Sequence, residues 1–192
     1  MLRRMTVASD RRPPAQRLLD TAGELFAAEG IRAVGIDRLL AASGVAKASM
    51  YQSFGSKDAL VVAYLARQHA EDREALETAA ATRAEPRDRV LLPFDLAADR
   101  AHRRDFRGCL YLNAATEFPG PDSPVAAVVA EHRAWLAAYS RAALVDAGRR
   151  DPEALAARWT VLYDGGLAGS KAARTSAPIR VARAMAEELL TR

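Results

Sequence analysis

The sequence predicts an all-α protein, with a small N-terminal domain over residues 1–62 and a larger helical domain over residues 63–192. Alanine is abundant and runs of Val and Ile are rare, which favours helices over strands. Apolar residues recur at helical spacing along most of the chain. The sequence contains neither an internal repeat nor a pair of strand-like segments, so nothing in the pattern indicates a sheet.

The N-terminal domain is predicted to be a three-helix unit whose helix ends are marked by proline and glycine. The first helix is expected to begin at Pro14 and to stop before Gly30. Two short helices follow over residues 36–42 and 47–53, and Gly44 in the turn between them is free to adopt a positive φ. A long fourth helix from Lys57, capped by Ser56, then leads into the C-terminal domain.

The C-terminal domain is predicted to consist of five more helices. In chain order, these are expected near 88–103 and over 109–117, and then from Pro124, Pro152 and Pro178. Pro93 either kinks the first of them or marks its true start, because proline lacks the N–H that a helix interior needs. The fourth of them has a cap at Asp151 and an acid, Glu153, at the positive end of the helix dipole.

Charge and composition limit the class of protein. The net charge is +4 and the pI is about 9.6, a basic bias that permits nucleic-acid binding without establishing it. Residues 1–60 contain nine Lys and Arg against six Asp and Glu, so most of the excess lies there. The basic segment 1–12 is expected to be either a solvated tail or an arm that contacts DNA phosphates.

Cysteine content and hydropathy indicate a cytoplasmic protein. Cys109 is the single cysteine, so an internal disulfide is excluded, which fits a reducing compartment. Residues 1–12 have no apolar stretch of the kind a secretory signal needs. No apolar run approaches the length of a membrane span, so we expect a soluble protein without a membrane partner.

Two short helices joined by a glycine turn, with an apolar helix on each side, are typical of a helix-turn-helix unit. Such a unit places its second helix in the major groove of DNA, although plain helical bundles also contain short helix pairs. The string from Ile36 to Leu60 (IDRLLAASGVAKASMYQSFGSKDAL) has its glycine turn, tyrosine, phenylalanine and Lys-Asp pair in ordered register. On this string, residues 15–62 resemble the DNA-binding domain of the TetR family.

The resemblance implies a homodimeric transcriptional regulator that binds palindromic double-stranded DNA. It implies a repressor released by a small-molecule effector, with a helical C-terminal domain that binds the effector and dimerises through its last two helices. Gly35 and Ala46 stand where the family often has a capping Ser or Thr. Replacing a capping Ser or Thr lowers stability by about 1 kcal/mol when the replacement is Ala and by less when it is Gly, so the fold should persist. One phosphate contact from a capping hydroxyl is expected to be missing.

The candidate DNA-binding residues lie on the second, third and fourth helices. They are Arg38, Lys47, Ser49, Tyr51, Gln52 and Lys57. Tyr51 offers an apolar ring for packing and a hydroxyl that could bind a phosphate. The alternative interpretation is that Tyr51 belongs to the hydrophobic core. Lys57 is a cation in the first turn of a helix, where a phosphate would compensate for the unfavourable dipole. Gln52 and Lys47 suit adenine and guanine edges, although each could also be ordinary surface.

The candidate ligand-binding residues are spread over the middle of the chain. They are Phe94, Cys109, Asn113, Glu117, His132 and Trp135. The polar ones could line a cavity for a small, largely apolar molecule, or they could be satisfied contacts between helices. The segment Phe106-Arg107-Gly108-Cys109, with Asn113 and Glu117, resembles one branch of the family. Glycines at 165, 166 and 169 allow close helix approach, either across a dimer or within one chain.

Two alternatives to a ligand-responsive regulator remain at this stage. An enzyme could use Cys109 with His102 or His132 and with Glu117, but no known spacing connects these residues. The three histidines also lack the paired spacing of a metal site, so neither a metal nor a cofactor is expected. The other alternative is an architectural DNA-binding protein without a ligand, against which the long C-terminal domain argues.

Overall fold

The computed structural model describes residues 12–102, 106–120 and 122–191. Within these ranges the chain forms nine α-helices and no strand, which confirms the predicted fold class. In chain order they are α1 (Pro14–Glu29), α2 (Ile36–Ser43), α3 (Lys47–Phe54), α4 (Lys57–Ala81), α5 (Pro86–Arg100), α6 (Leu110–Glu117), α7 (Pro124–Asp146), α8 (Pro152–Ala173) and α9 (Ala177–Glu188).

The predicted helix ends are confirmed where a capping residue or a glycine defines them. Gly30 ends α1 with φ 96°, and Gly44 ends α2 in the left-handed region with φ 63°. Ser56 caps α4, because its hydroxyl accepts a hydrogen bond from the N–H of Ala59 at 3.0 Å. Neither Gly35 nor Ala46 makes a side-chain cap, as the missing hydroxyls predict.

Three predicted helix starts, those of α5, α6 and α9, lie one or two residues from the observed ones, and α9 begins at Ala177 rather than Pro178. The helix expected from 88 begins earlier, at Pro86, and therefore includes Pro93 in its interior rather than starting there. Proline is favoured in the first turn, where the N–H has no partner in any case, and this accounts for the start at Pro86. The next helix begins at Leu110 and uses Cys109 only as its N-cap.

The N-terminal helices share one core with part of the C-terminal domain. Leu18, Phe26 and Met50 are buried where α1 packs on α3 and α4, and the ring of Phe26 meets that of Tyr64 edge-on at 5.4 Å. The same core continues into α6 and α7, as the buried ring of Tyr111 shows. The proposed domain boundary at 62/63 lies inside α4, so one unbroken helix connects the DNA-binding helices with the rest of the protein.

A second core lies between α5, α7, α8 and α9. Trp159 is fully buried there, and its indole N–H donates to the carbonyl of Val90 at 2.9 Å. Gly166 allows α8 and α9 to approach closely, because a Cβ at this position would lie 2.6 Å from Ile179 Cδ1. This glycine therefore serves packing within one chain. No helix in the described ranges is both long and apolar enough to cross a bilayer.

Candidate nucleic-acid interface and ligand cavity

Helix α3 presents one face to the core and the other to solvent. Met50 anchors it, being 1% exposed, and Val45 is buried just before its first turn. Lys47 and Gln52 lie on the exposed face, and Ser49 is half-buried. Tyr51 is 42% exposed, so its ring is not part of the core. The exposed face is free to enter a groove without any rearrangement of the buried one.

Two of the predicted DNA-binding cations have partners within the protein. The guanidinium of Arg38 on α2 lies 3.2 Å from the Glu29 carboxylate at the end of α1. The ammonium of Lys57 donates to the carbonyl of Ile31 at 2.9 Å, and burial is the main reason that the pKa of this lysine is lowered. The DNA contacts of all six candidate residues stay predictions.

The turn between α1 and α2 is bound by residues at the two ends of α6. The carboxylate of Glu117, the last residue of α6, accepts hydrogen bonds from the N–H groups of Ile31 at 3.3 Å and Arg32 at 2.5 Å. Arg107, just before α6, donates to the carbonyl of Ala28 at 2.6 Å. Arg32 in turn places its guanidinium 5.0 Å from the centre of the Phe118 ring. Both ends of α6 therefore contact the segment that leads into the helix-turn-helix unit.

A cavity of about 150 Å³, called here the inner cavity, lies between α4, α5, α6, α7 and α8. Three of the six predicted ligand residues line it: Cys109, His132 and Trp135. Asn113 and Glu117 line a larger cleft of about 710 Å³ beside α1, which adjoins the inner cavity at Gln68, Asp72 and Arg100. The fully buried Phe94 is in the lining of neither.

Sequence reasoning missed several cavity residues. They are Gln68 and Asp72 on α4, Arg100 on α5, Phe106 before α6, Tyr111 on α6 and Tyr163 on α8. Asp72 and Arg100 lie 28 positions apart, and no sequence motif connects them. The aromatic residues could only have been suspected from helical periodicity, which also fits an ordinary core.

A pair of buried histidines connects α4 with α7 beside the inner cavity. The Nδ1 atoms of His69 and His132 lie 3.2 Å apart, so one ring donates its N–H and the other accepts while neutral. The ring of Tyr111 stacks on His132 with centroids 3.4 Å apart and planes 11° from parallel. Burial first, and then the charges of His69 and nearby arginines, lower the pKa of His132 to about 3. His132 is therefore neutral at physiological pH.

One end of the inner cavity contains an ion pair. Arg100 donates to Asp72 at 2.7 Å, and the hydroxyl of Tyr111 donates to the other carboxylate oxygen at 3.0 Å. Both oxygens of Asp72 therefore have donors inside the protein. Burial raises the pKa of Tyr111, which keeps its hydroxyl protonated and able to donate.

Of the residues considered for thiol chemistry, Cys109 and His132 line the inner cavity, whereas Glu117 and His102 bond elsewhere. Burial raises the pKa of the Cys109 thiol, which disfavours the thiolate. His102 lies instead against Ser176 and Arg180, with its Nε2 3.0 Å from the Arg180 guanidinium. Within the described ranges no group of three or more His, Cys, Asp or Glu side chains is placed to bind a metal ion.

Known regulatory proteins resemble this chain in both sequence and fold. The profile of the bacterial regulatory proteins of the tetR family matches residues 18–64. A TetR-family transcriptional regulator from Streptomyces coelicolor has a solved structure that is 32% identical and has a TM-score of 0.87, and the match covers 93% of this chain and 95% of that one. No protein with a curated description matches the sequence.

More distant solved structures share the fold. Escherichia coli NemR in its reduced form is 23% identical with a TM-score of 0.82, and the match covers 91% of this chain and 95% of that one. A TetR transcriptional regulator from Chloroflexus aurantiacus is 21% identical with a TM-score of 0.82, over 93% and 94% of the two chains.

Proposed function

Because the chain belongs to the TetR family of bacterial regulatory proteins, we propose that it represses transcription as a homodimer on a palindromic operator until a small molecule releases it. The observation that carries this proposal is the exposed face of α3. Tyr51 and Gln52 stand in solvent on a helix that Met50 anchors, as a helix that reads a major groove requires. We assign base reading to Gln52, Lys47 and Ser49, and phosphate contacts to the other candidates.

The exposed apolar residues of α8 and α9 support dimerisation. Val161 is 71% exposed, Val181 60% and Met185 49%, although large apolar side chains are usually buried. One recognition helix reads only a few base pairs, so a two-fold dimer would read two half-sites of inverted symmetry. We propose that α8 and α9 of two copies pack together through these residues.

The position of α4 supports a link between ligand and DNA binding. Its first residue, Lys57, lies at the proposed DNA surface, whereas Gln68 and Asp72 line the inner cavity further along the same helix. A ligand that binds against Gln68 and Asp72 would move α4 and change the spacing of the two recognition helices. Such a ligand binds the DNA-incompetent state more tightly, typically by about 1–3 kcal/mol.

The test starts from an operator obtained by selecting duplexes from a random pool with the full-length protein. We expect a footprint with inverted symmetry and a protein–DNA complex that contains two chains. The affinity of a ligand for the inner cavity is then titrated with and without operator, and linkage requires each to weaken the other by the same factor. A footprint without inverted symmetry would contradict the dimer, and equal ligand affinities in the two titrations would contradict ligand control.

A further inference from the structure

The inner cavity is walled mainly by rings. Phe106, Tyr111, His132, Trp135 and Tyr163 all contribute to its lining. Aromatic side chains favour another ring in edge-to-face or offset contact, beyond the effect of the area that is buried. The remaining wall is largely aliphatic and includes Leu76, Leu96 and Leu136. This lining favours a flat apolar ligand over a strongly hydrated one.

The volume of the inner cavity matches a single ring with small substituents. The inner cavity measures about 150 Å³. A dry cavity of about that size, lined by aliphatic and aromatic side chains, is known to take up benzene. A fused-ring compound would therefore extend out of the inner cavity into the adjoining cleft.

The charges in the lining cancel each other. Among the described residues that line the inner cavity, the ionised side chains are Asp72 and Arg100, which bond to each other at 2.7 Å. The neutral imidazole of His132 adds no positive charge. An anionic ligand would therefore find no unpaired cation, and a cationic one no unpaired carboxylate, so either would lose its hydration without compensation.

Hydrogen-bonding capacity remains at the end of the cavity where the ion pair lies. Arg100 uses one nitrogen on Asp72, and a guanidinium carries five N–H groups in all. Gln68 also belongs to the lining, and its amide nitrogen donates to Glu71, so its amide oxygen keeps its capacity to accept. A carboxamide or hydroxyl group can accept from Arg100 and donate to the Gln68 oxygen, whereas a carbonyl can only accept from Arg100.

We infer that the inner cavity binds an uncharged single-ring aromatic compound with one carbonyl, carboxamide or hydroxyl group, and that it rejects the corresponding carboxylate. This inference rests on the ligand response proposed above and specifies the chemical class of the ligand. The ring lies among the aromatic walls, and the polar group points towards Arg100 and Gln68.

The experiment uses three probes of similar size and the full-length protein without DNA. Binding of benzamide, benzoate and cyclohexanecarboxamide is measured by titration calorimetry at pH 7. We expect benzamide to bind at least about tenfold more tightly than benzoate, because the carboxylate finds no unpaired cation. Cyclohexanecarboxamide should bind about two- to tenfold more weakly than benzamide, because it lacks the aromatic ring.

A single substitution should weaken the preference. Asp72→Asn keeps the shape of the side chain but removes the negative charge, and so leaves Arg100 as an unpaired cation at the mouth of the cavity, where its side chain is 54% exposed. Benzoate affinity should then rise about two- to fivefold, because solvent screens the half-exposed guanidinium, while benzamide affinity changes little. Asp99→Asn is the matched control, because Asp99 is an exposed acid next to Arg100 that does not line the cavity. A gain of binding cannot result from misfolding.

Three results would overturn the inference: benzoate binding as tightly as benzamide to the unchanged protein, no binding of any probe, or no gain for benzoate in Asp72→Asn. Failure of the proposed function has a different signature. If benzamide binds and operator affinity is unchanged, the chemical class stands and ligand control of DNA binding fails. If other compounds release the operator while no probe binds, the proposed function stands and this inference fails.

Discussion

The carboxylate of Glu117 accepts a hydrogen bond from the backbone N–H of Arg32 at 2.5 Å, across 85 positions of sequence. The contact connects the end of α6 with the turn that leads into α2. Because α6 also carries Leu110 and Tyr111 in the wall of the inner cavity, it is a second connection between cavity and DNA-binding helices, beside α4.

Glu117→Ala should loosen the α1–α2 turn. Two N–H groups lose a charged acceptor, so we expect a loss of stability of about 1–2 kcal/mol and faster amide exchange at Ile31 and Arg32. Urea unfolding and hydrogen exchange measure the two effects. Glu131→Ala, at an exposed acid on α7, is the control. Unchanged exchange at Arg32, together with loss of benzamide binding, would instead favour the ligand role predicted from the sequence.

Lys57 and Gln52 should affect DNA binding in different ways. Lys57→Ala should weaken binding to all duplexes alike and lower the salt slope by about 1, if the ammonium contacts a phosphate. Gln52→Ala should relax preference at one base position, with a change of about 1–3 kcal/mol there. Salt titrations and binding to single-base operator variants measure these effects. An unchanged salt slope with reduced stability would assign Lys57 to its bond with Ile31 alone.

Acidic substitutions on α8 and α9 should dissociate the dimer. Val161→Asp and Val181→Asp place a charge on the proposed dimer surface and should raise the dimer dissociation constant at least about tenfold. Val145→Asp is the matched control, because Val145 is 54% exposed but lies on α7. Sedimentation velocity over a concentration series distinguishes the species. This surface would be excluded as the interface if all three variants changed the dimer dissociation constant equally, or if none of them changed it.

His132 should make the fold less stable in mild acid. Its folded-state pKa is about 3 and its ordinary value is 6.5, so below 6.5 the unfolded chain takes up a proton that the folded chain does not. The contribution of His132 is therefore fully present above pH 6.5 and is lost as the pH falls from 6.5 towards 3, with a limiting slope of about 1.4 kcal/mol per pH unit.

Urea unfolding between pH 7 and pH 5 measures this slope, before most carboxylates titrate. His132→Phe keeps a ring against Tyr111 and should reduce the slope, whereas His102→Phe, at an exposed histidine, should leave it unchanged. A slope that survives in His132→Phe would locate the proton uptake elsewhere.

Local chemistry in the sequence was sufficient to predict the helices and the helix-turn-helix unit. Proline starts, glycine stops and the Ser56 cap act within one helical turn, so they predict α1 to α4 closely. The surface of α3 follows from the same reasoning, because one buried residue every helical turn leaves the opposite face in solvent.

Only the tertiary structure decided which middle-chain residues meet. Cys109, His132 and Trp135 share a cavity, whereas Glu117, predicted to join them, bonds to Arg32 instead. The Asp72–Arg100 pair and the His69–His132 contact likewise join separate helices. Periodicity states which face of a helix is buried but not what it is buried against, because the rotation and position of each helix depend on the packing of all its neighbours. The sequence alone therefore determined the fold class and the recognition helix, and packing determined the chemistry of the cavity.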